Sequence, residues 1–130
     1  MPYGNLLADV VQSSTVGTPP QFNDGGGTQV GTLCRAWLTY NGSSPGAIRA
    51  SFNVSSVTYN STGKYTVTFT NAFVDANYCV AGAQQANLGS GQTGISVSST
   101  NPTTTSVQLQ TTNVGAGVTD TPYAYAAFFR

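Results

Sequence analysis

Few residues in this chain are able to make bonds or ligate strongly: Asp9, Asp24, Asp75 and Asp120, Lys64, Cys34 and Cys79, and Arg35, Arg49 and Arg130. Histidine is absent from the sequence, which removes imidazole-assisted serine or cysteine triads, imidazole metal sites and the usual general base near neutral pH. Glutamate is absent too, because the four acidic residues are all aspartates. A paired-carboxylate hydrolase needs two of them within roughly 5–10 Å. Their scatter over the amino-terminal segment and the loops argues against that. Lys64 follows Gly63 at an expected hairpin tip, where it is solvated and not activated. The sequence therefore points to no catalytic residue, no cofactor-binding residue and no metal ligand. Stretches such as GTQVG and GSGQTG supply glycine but no following lysine and no helix, so they read as turns and not as phosphate cradles. The triplets at Asn41, Asn53 and Asn60 fit the N-glycosylation acceptor pattern, and in so Asn-, Ser- and Thr-rich a chain they also arise by chance.

One stretch concentrates functional side chains. CRAWLTYNG, from Cys34 to Gly42, sets Arg35 two positions from the chain's single tryptophan, Trp37, just before a turn signal. If NGSSPG closes a hairpin, Arg35 and Arg49 fall on one face and flank Trp37, where guanidinium over indole contributes about 0.5–2 kcal/mol. Such arginines need anions, and Asp75 or the Arg130 carboxylate of this or a neighbouring subunit are the candidates. The pair is expected to tie strands or subunits together, with a carbohydrate-binding aromatic platform at Trp37 as the alternative.

The elements that hold these residues are strands. In YTVTFT, VQLQ and ISVS apolar and polar residues alternate with period two, and β-branched and aromatic types suit a pleated surface. Turn-forming clusters separate them at regular intervals, the pattern of a sandwich or small barrel. The reading is an all-β, antiparallel β-sandwich of about eight strands at 33–41, 47–53, 54–60, 64–71, 77–85, 94–100, 104–112 and 121–130. Residues 1–32 read as an extended N-terminal docking arm and Gly/Pro-rich linker, residues 33–130 as the sandwich. Pro19-Pro20 enforces an extended path, Gly25 to Gly27 a flexible one, and Leu6, Leu7, Val10 and Val11 form the arm's one apolar cluster. A strand-turn-strand echo between 53–71 and 96–113 is explained by shared hairpin grammar.

Composition narrows the partners. Charged residues make up 6% where about a quarter is usual, and the net charge is zero. Nothing here would neutralise phosphates or anionic lipid, so neither nucleic acid nor membrane insertion is expected, and no run is long enough to span a bilayer. The chain is expected to be soluble and unprocessed. Cys34 and Cys79 sit in apolar alternating runs, where a reduced thiol behaves as a small hydrophobe and a single bridge is the other option. In TPYAYAAFFR, Tyr123, Tyr125 and Phe129 face one side and Phe128 the other, so both faces of the last strand are apolar. The second face must meet another subunit or the chain's own arm.

The succession from TPPQF to DANYCV resembles a module of bacteriophage virion proteins, notably tail fibres and small appendages of marine and cyanobacterial phages. There a CRAW-aromatic-Asn-Gly strand end leads to AIRASFNV, then a Thr- or Asn-rich turn, YTV-F and DANY. The likeness covers about residues 18 to 80. Ser43, Ser44, Pro45 and Gly46 replace its usual Gly-Thr-rich hairpin, Tyr59 stands where a charged residue is common, and the match fades beyond Ala81. The opening MPYGNLLADVVQSST looks like the docking segment of such proteins. The resemblance implies a non-enzymatic virion component, a homotrimer assembled in the host cytoplasm and attached to other virion proteins by its arm. Its loops would meet a host surface glycan or protein, through Asn41, Ser43, Asn60, Lys64, Asn87, Gln92, Asn101 and Asn113. The alternative role is a capsid decoration protein that stabilises the head.

Overall fold

A computed structural model of the chain describes residues 12, 14, 22–23, 30–31, 34–43, 45–85, 93–115 and 117–130. Two compact units are defined, Met1–Leu33 and Cys34–Arg130. In the first, β1 (Phe22–Asn23) pairs antiparallel with β2 (Val30–Gly31). The expected arm residues Leu6, Leu7, Val10 and Val11 lie outside the described residues, as do Asn87 and Gln92.

The second unit is built from β3 (Cys34–Asn41), β4 (Ala47–Phe52), β5 (Val54–Ser61), β6 (Lys64–Phe69), β7 (Cys79–Gln84), β8 (Thr93–Val97), β9 (Ser106–Asn113), β10 (Gly117–Val118) and β11 (Ala124–Phe129). These form two antiparallel sheets. One runs β4-β3-β11-β7; in the other, β5 pairs β6, β6 pairs β9, and β9 also pairs β8 and β10. The fold is an antiparallel β-sandwich. The alternating residues do what their period requires: Tyr65, Val67 and Phe69 of β6 and Val107, Leu109 and Thr111 of β9 point inward. They meet Ala36, Leu38 and Tyr40 of β3 and Ala124, Ala126 and Phe128 of β11. Aromatic rings join the layers edge to face, Tyr40 with Tyr65 at 5.1 Å and Phe69 with Phe128 at 5.0 Å between centroids.

Two features position the surfaces. The chain passes from β4 in one sheet to β5 in the other through a single residue, Asn53, at φ 56°. Asparagine tolerates the left-handed region, and here its side chain closes the corner. Its Nδ2 donates to the carbonyls of Arg35 and Asn71, while its Oδ1 accepts from the Asn71 backbone N–H at 2.8 Å. The acceptor triplet at Asn53 is thus spent on a turn. The second feature is β11, which lies between β3 and β7 and is hydrogen-bonded on both sides.

Candidate interaction surfaces

Because β3, β11 and β7 alternate, their odd-numbered residues make an outer face. Trp37 and Thr39 of β3, Tyr125 and Ala127 of β11 and Ala81 and Ala83 of β7 lie across it in register. Phe52, opposite Trp37, and Ala50 extend it onto β4. Trp37 is 40%, Phe52 56% and Tyr125 44% exposed, and Tyr123 at the border is 38% exposed. A depression of about 380 Å³ runs along Trp37, Thr39, Tyr125, Ala81 and Ala83. The last strand is therefore apolar on both faces but covered on only one by its own fold: Phe128 is 0% exposed, while Phe129 is half-buried on the outer side.

The arginines are placed differently from the sequence expectation. Arg49 does not stack on Trp37; its guanidinium lies 4.1 Å from the centroid of the Tyr123 ring, and its Nη2 donates to the Pro122 carbonyl at 3.1 Å. A register shift between Thr39 and Tyr40 explains it, since Ala50 pairs with Thr39 and Ile48 with Tyr40, leaving Arg49 between ladder positions. Arg49 thus ties edge strand β4 to the segment entering β11. Arg35 is half-buried, and its carbonyl takes the Asn53 bond. Asp75 serves neither arginine. Arg130 grips it from Nε at 2.9 Å and from Nη2 at 2.6 Å, an exposed bidentate pair. These bonds, with the Asn77 backbone N–H at 2.8 Å, hold the Asp75 carboxyl down at about 2.

Cys34 and Cys79 are both free thiols. Each pairs with Phe129 from opposite sides of β11, so two strand spacings of about 4.8 Å separate them, beyond the ~4.4–6.8 Å between Cα atoms that a disulfide requires. The fold excludes the bridge.

Strand direction gives the sandwich two distinct ends. At one lie 42–43, 45–46, 62–63, 114–115 and 119–123; at the other lie Cys34, Asn53, 70–78, 98–105 and Arg130. Of the described receptor candidates, Asn41, Ser43, Asn60 and Lys64 gather at the first end. Asn101 is at the opposite end and shares no surface with them. Asn113 is also misplaced by the sequence reading: it is the inward residue that closes the buried row Val107, Leu109, Thr111, and it does not project from a loop.

The first end is locked by residues that the sequence did not single out as a group. Asp120 Oδ1 accepts from the Gly63 N–H at 2.6 Å and the Tyr65 hydroxyl at 3.1 Å, and Oδ2 accepts from the Tyr59 hydroxyl at 3.2 Å. The one proton of the Tyr65 hydroxyl is shared between Asp120 Oδ1 and the nearer Gly42 carbonyl at 2.5 Å, and Thr111 Oγ1 donates to the Thr119 carbonyl at 2.6 Å. Burial pushes the Tyr65 phenol up to about 12 and raises that of Tyr40 further. Only the symmetric placement of Tyr59 and Tyr65 about the turn at Thr62-Gly63 hinted at this cluster. Asp75 and Asp120 stand at opposite ends of strands of six to eight residues, roughly 20 Å apart, so they form no catalytic pair. Among the described residues no group of three or more His, Cys, Asp or Glu is placed to hold a metal ion. No protein family, no curated protein and no solved structure matches the chain.

Proposed function

We propose that this chain is a non-enzymatic structural protein of a phage virion, of the tail-fibre or tip type. In this reading it is a homotrimer that docks to other virion proteins through residues 1–32 and meets a host surface glycan or protein with its far end. The phage assignment rests on the resemblance of residues 18–80. The observation that carries the mechanical part is the polarity of the sandwich: Cys34, which receives the preceding segment, sits at the end opposite residues 42–43, 62–63 and 119–123. A domain anchored at one end and polar at the other presents its loops outward. Those loops are held stiff by the Asp120 cluster, which lowers the entropy lost when a surface contact forms.

The test is antibody labelling of purified particles together with counting of copies per particle. Label at the tail with a few copies supports the reading. Uniform label over the head with hundreds of copies replaces it with capsid decoration. Label on neither, or turnover of a host polysaccharide by purified protein, overturns it.

A further inference from the structure

The outer face of the β4-β3-β11-β7 sheet is uncovered within its own sandwich, and it carries an arginine toward each end. Arg35 points outward with Trp37, since Ala36 and Leu38, which alternate with them, are buried. Arg49 lies over Tyr123 at the border. Each stands at a break in its ladder. Phe128 pairs with Ala36 and Phe129 with Cys34, which leaves Arg35 over, as Arg49 is left over between Ile48 and Ala50. A bulge re-aims the side chain it carries, and bulges are enriched next to active sites. Neither arginine meets a carboxylate among the described residues; Arg130 does, and it takes up Asp75. The Arg35 side chain makes no hydrogen bond there, and Arg49 donates only from Nη2. Among the described residues the face carries no acid to balance the two cations.

Between the arginines the surface is aromatic and uncharged. Trp37 and Tyr125 hold diagonal positions on neighbouring strands, Trp37 opposite Ala127 and Tyr125 opposite Thr39, and Phe52 stands directly opposite Trp37. Ala81 and Ala83 of β7 are too small to rise beside them. The rings therefore overlook a shelf, the depression of about 380 Å³, which falls within the ~300–1,000 Å³ of ligand sites. Thr39, which also lines it, adds a hydroxyl. A ligand that suits this surface has a flat apolar face to lie on the rings, hydroxyls at its rim, and negative charge at intervals. A pyranose ring supplies the first two, because its axial C–H groups form an apolar face and its hydroxyls stand around the edge. A uronate carboxylate supplies the third, and guanidinium binds carboxylate as a two-pronged fork. Spacing disfavours the other polyanion with flat rings. Arg35 and the Thr39–Tyr40 step beside Arg49 are roughly 15 Å apart at a rise of ~3.4 Å per residue, with no cation between them. Single-stranded nucleic acid instead requires a basic groove that follows its backbone.

We infer that this face is a binding site for an acidic polysaccharide, whose sugar rings lie on Trp37 and Tyr125 and whose carboxylates reach Arg35 and Arg49. The site is separate from the loop-end contact proposed above, and it holds whatever particle the chain belongs to. Stacking on the rings gives the affinity for sugar, and the two arginines select the charged polymer over a neutral one.

The chain's single tryptophan lies in the site, so its fluorescence is the readout, with calorimetry beside it. The full chain is titrated with hyaluronate, alginate and polygalacturonate, with their methyl esters as uncharged counterparts and oligothymidylate as the nucleic-acid probe. At least one acidic polysaccharide is expected to shift Trp37 emission and to bind about tenfold more tightly than its ester. Arg35→Gln and Arg49→Gln are each expected to weaken that binding roughly tenfold, the size of one lost charge-assisted hydrogen bond, and Tyr125→Ala to weaken it comparably. Thr58→Ala, exposed on β5 of the other sheet, is expected to bind as the unmodified chain does. Circular dichroism checks the β-fold of each variant. Arg35→Gln, which breaks no side-chain bond, keeps the test intact if Arg49→Gln fails to fold. Absence of signal with every polysaccharide overturns the inference, as does equal binding of the esters, or full affinity in Arg35→Gln and Tyr125→Ala. Tighter binding of oligothymidylate overturns it in favour of a nucleic-acid platform. A multimer in which Trp37 is shielded from iodide and unresponsive to sugar overturns it in favour of copies of this chain. The virion reading is decided separately, by particle labelling.

Discussion

Removing the Asp120 carboxylate tests how one end of the sandwich is held. In Asp120→Ala the Tyr65 hydroxyl keeps an acceptor, the Gly42 carbonyl at 2.5 Å, and the half-buried Tyr59 hydroxyl turns to water. The Gly63 N–H has no such recourse. Gly63 is buried at φ 63°, and a Cβ built on it would lie 2.6 Å from Val118 Cγ1 and 2.7 Å from the Thr119 carbonyl oxygen, so the turn is held tightly where its N–H loses the Asp120 acceptor. A hydrogen bond to a charged acceptor contributes about 1.5–3 kcal/mol net, and a stranded buried donor loses about as much. Asp120→Ala is therefore expected to destabilise the domain by about 2–3 kcal/mol. For a unit spanning 34–130 that is a fall in Tm of roughly 10–20 °C. Asp120→Asn, which keeps an uncharged acceptor, is expected to lose about 1 kcal/mol. Thermal and urea denaturation followed by circular dichroism measure both. A change below about 0.5 kcal/mol in Asp120→Ala would refute the network as a stabilising device, because surface substitutions away from such features reach only that size.

Three further outcomes follow from the packing and titration of the core. Gly82→Ala should cost about 1–3 kcal/mol, since its Cβ would overlap Ile95 Cγ2 and lie 2.9 Å from the Tyr125 carbonyl oxygen; Ile95→Ala in the same chain should recover part of the loss, and purely additive effects would show that β7 and β8 do not touch there. Burial raises Tyr65 and Tyr78 to about 12 and Tyr40 further, so stability is complete below the ordinary tyrosine pKa of about 10 and falls as pH rises above it, because the unfolded chain releases those protons first. Phenolate absorbance should then appear together with loss of the β signal, and ionisation of these tyrosines near pH 10 in a folded domain would contradict their burial. Asp75 behaves in the opposite sense: its pairing with Arg130 is intact above the ordinary carboxylate value of about 4 and is lost as pH falls through about 2. Asp75→Asn should flatten the stability profile in that window alone.

Local periodicity carried far, and long-range pairing did not. The strands around KYTVTF and SVQLQTTN were legible because alternation fixes which side chains face the core whatever lies opposite. The break between 47–53 and 54–60 was expected, but that Asn53 makes the corner through a left-handed backbone was not, since in the sequence it read only as a glycosylation triplet. Which strands are neighbours is set by packing across the whole chain. Arg49 meets a tyrosine in the segment before β11, not the tryptophan across its own hairpin, because a one-residue bulge displaced it from the ladder. Asp120 looked like one of several scattered loop aspartates, and its three donors come from strands and a turn some sixty residues earlier. The aromatic end of β11 was read as apolar on both faces, but alternation alone could not say that Phe128 would be sealed inside while Tyr125 stayed open.

That division between sealed and open surfaces bears on how the domain associates. Strand edges are the usual route to open-ended assembly, and here they are obstructed. Sheet edge β4 carries Arg49 and a register shift against β3, and β5 has two register shifts against β6. β7 lies against β8 through Gly82 and Ile95, which draws the two sheets together along that side. With these edges blunted, the exposed aromatic residues of the outer face, Trp37, Phe52 and Tyr125, offer contact by side chains and not by adding strands. Faces set around an axis close on themselves once the last one is covered, whereas strand addition has no natural end. If copies associate through this face, their mass should rise with concentration to a plateau; growth without limit would mean that an edge, and not the Trp37 and Tyr125 face, makes the contact.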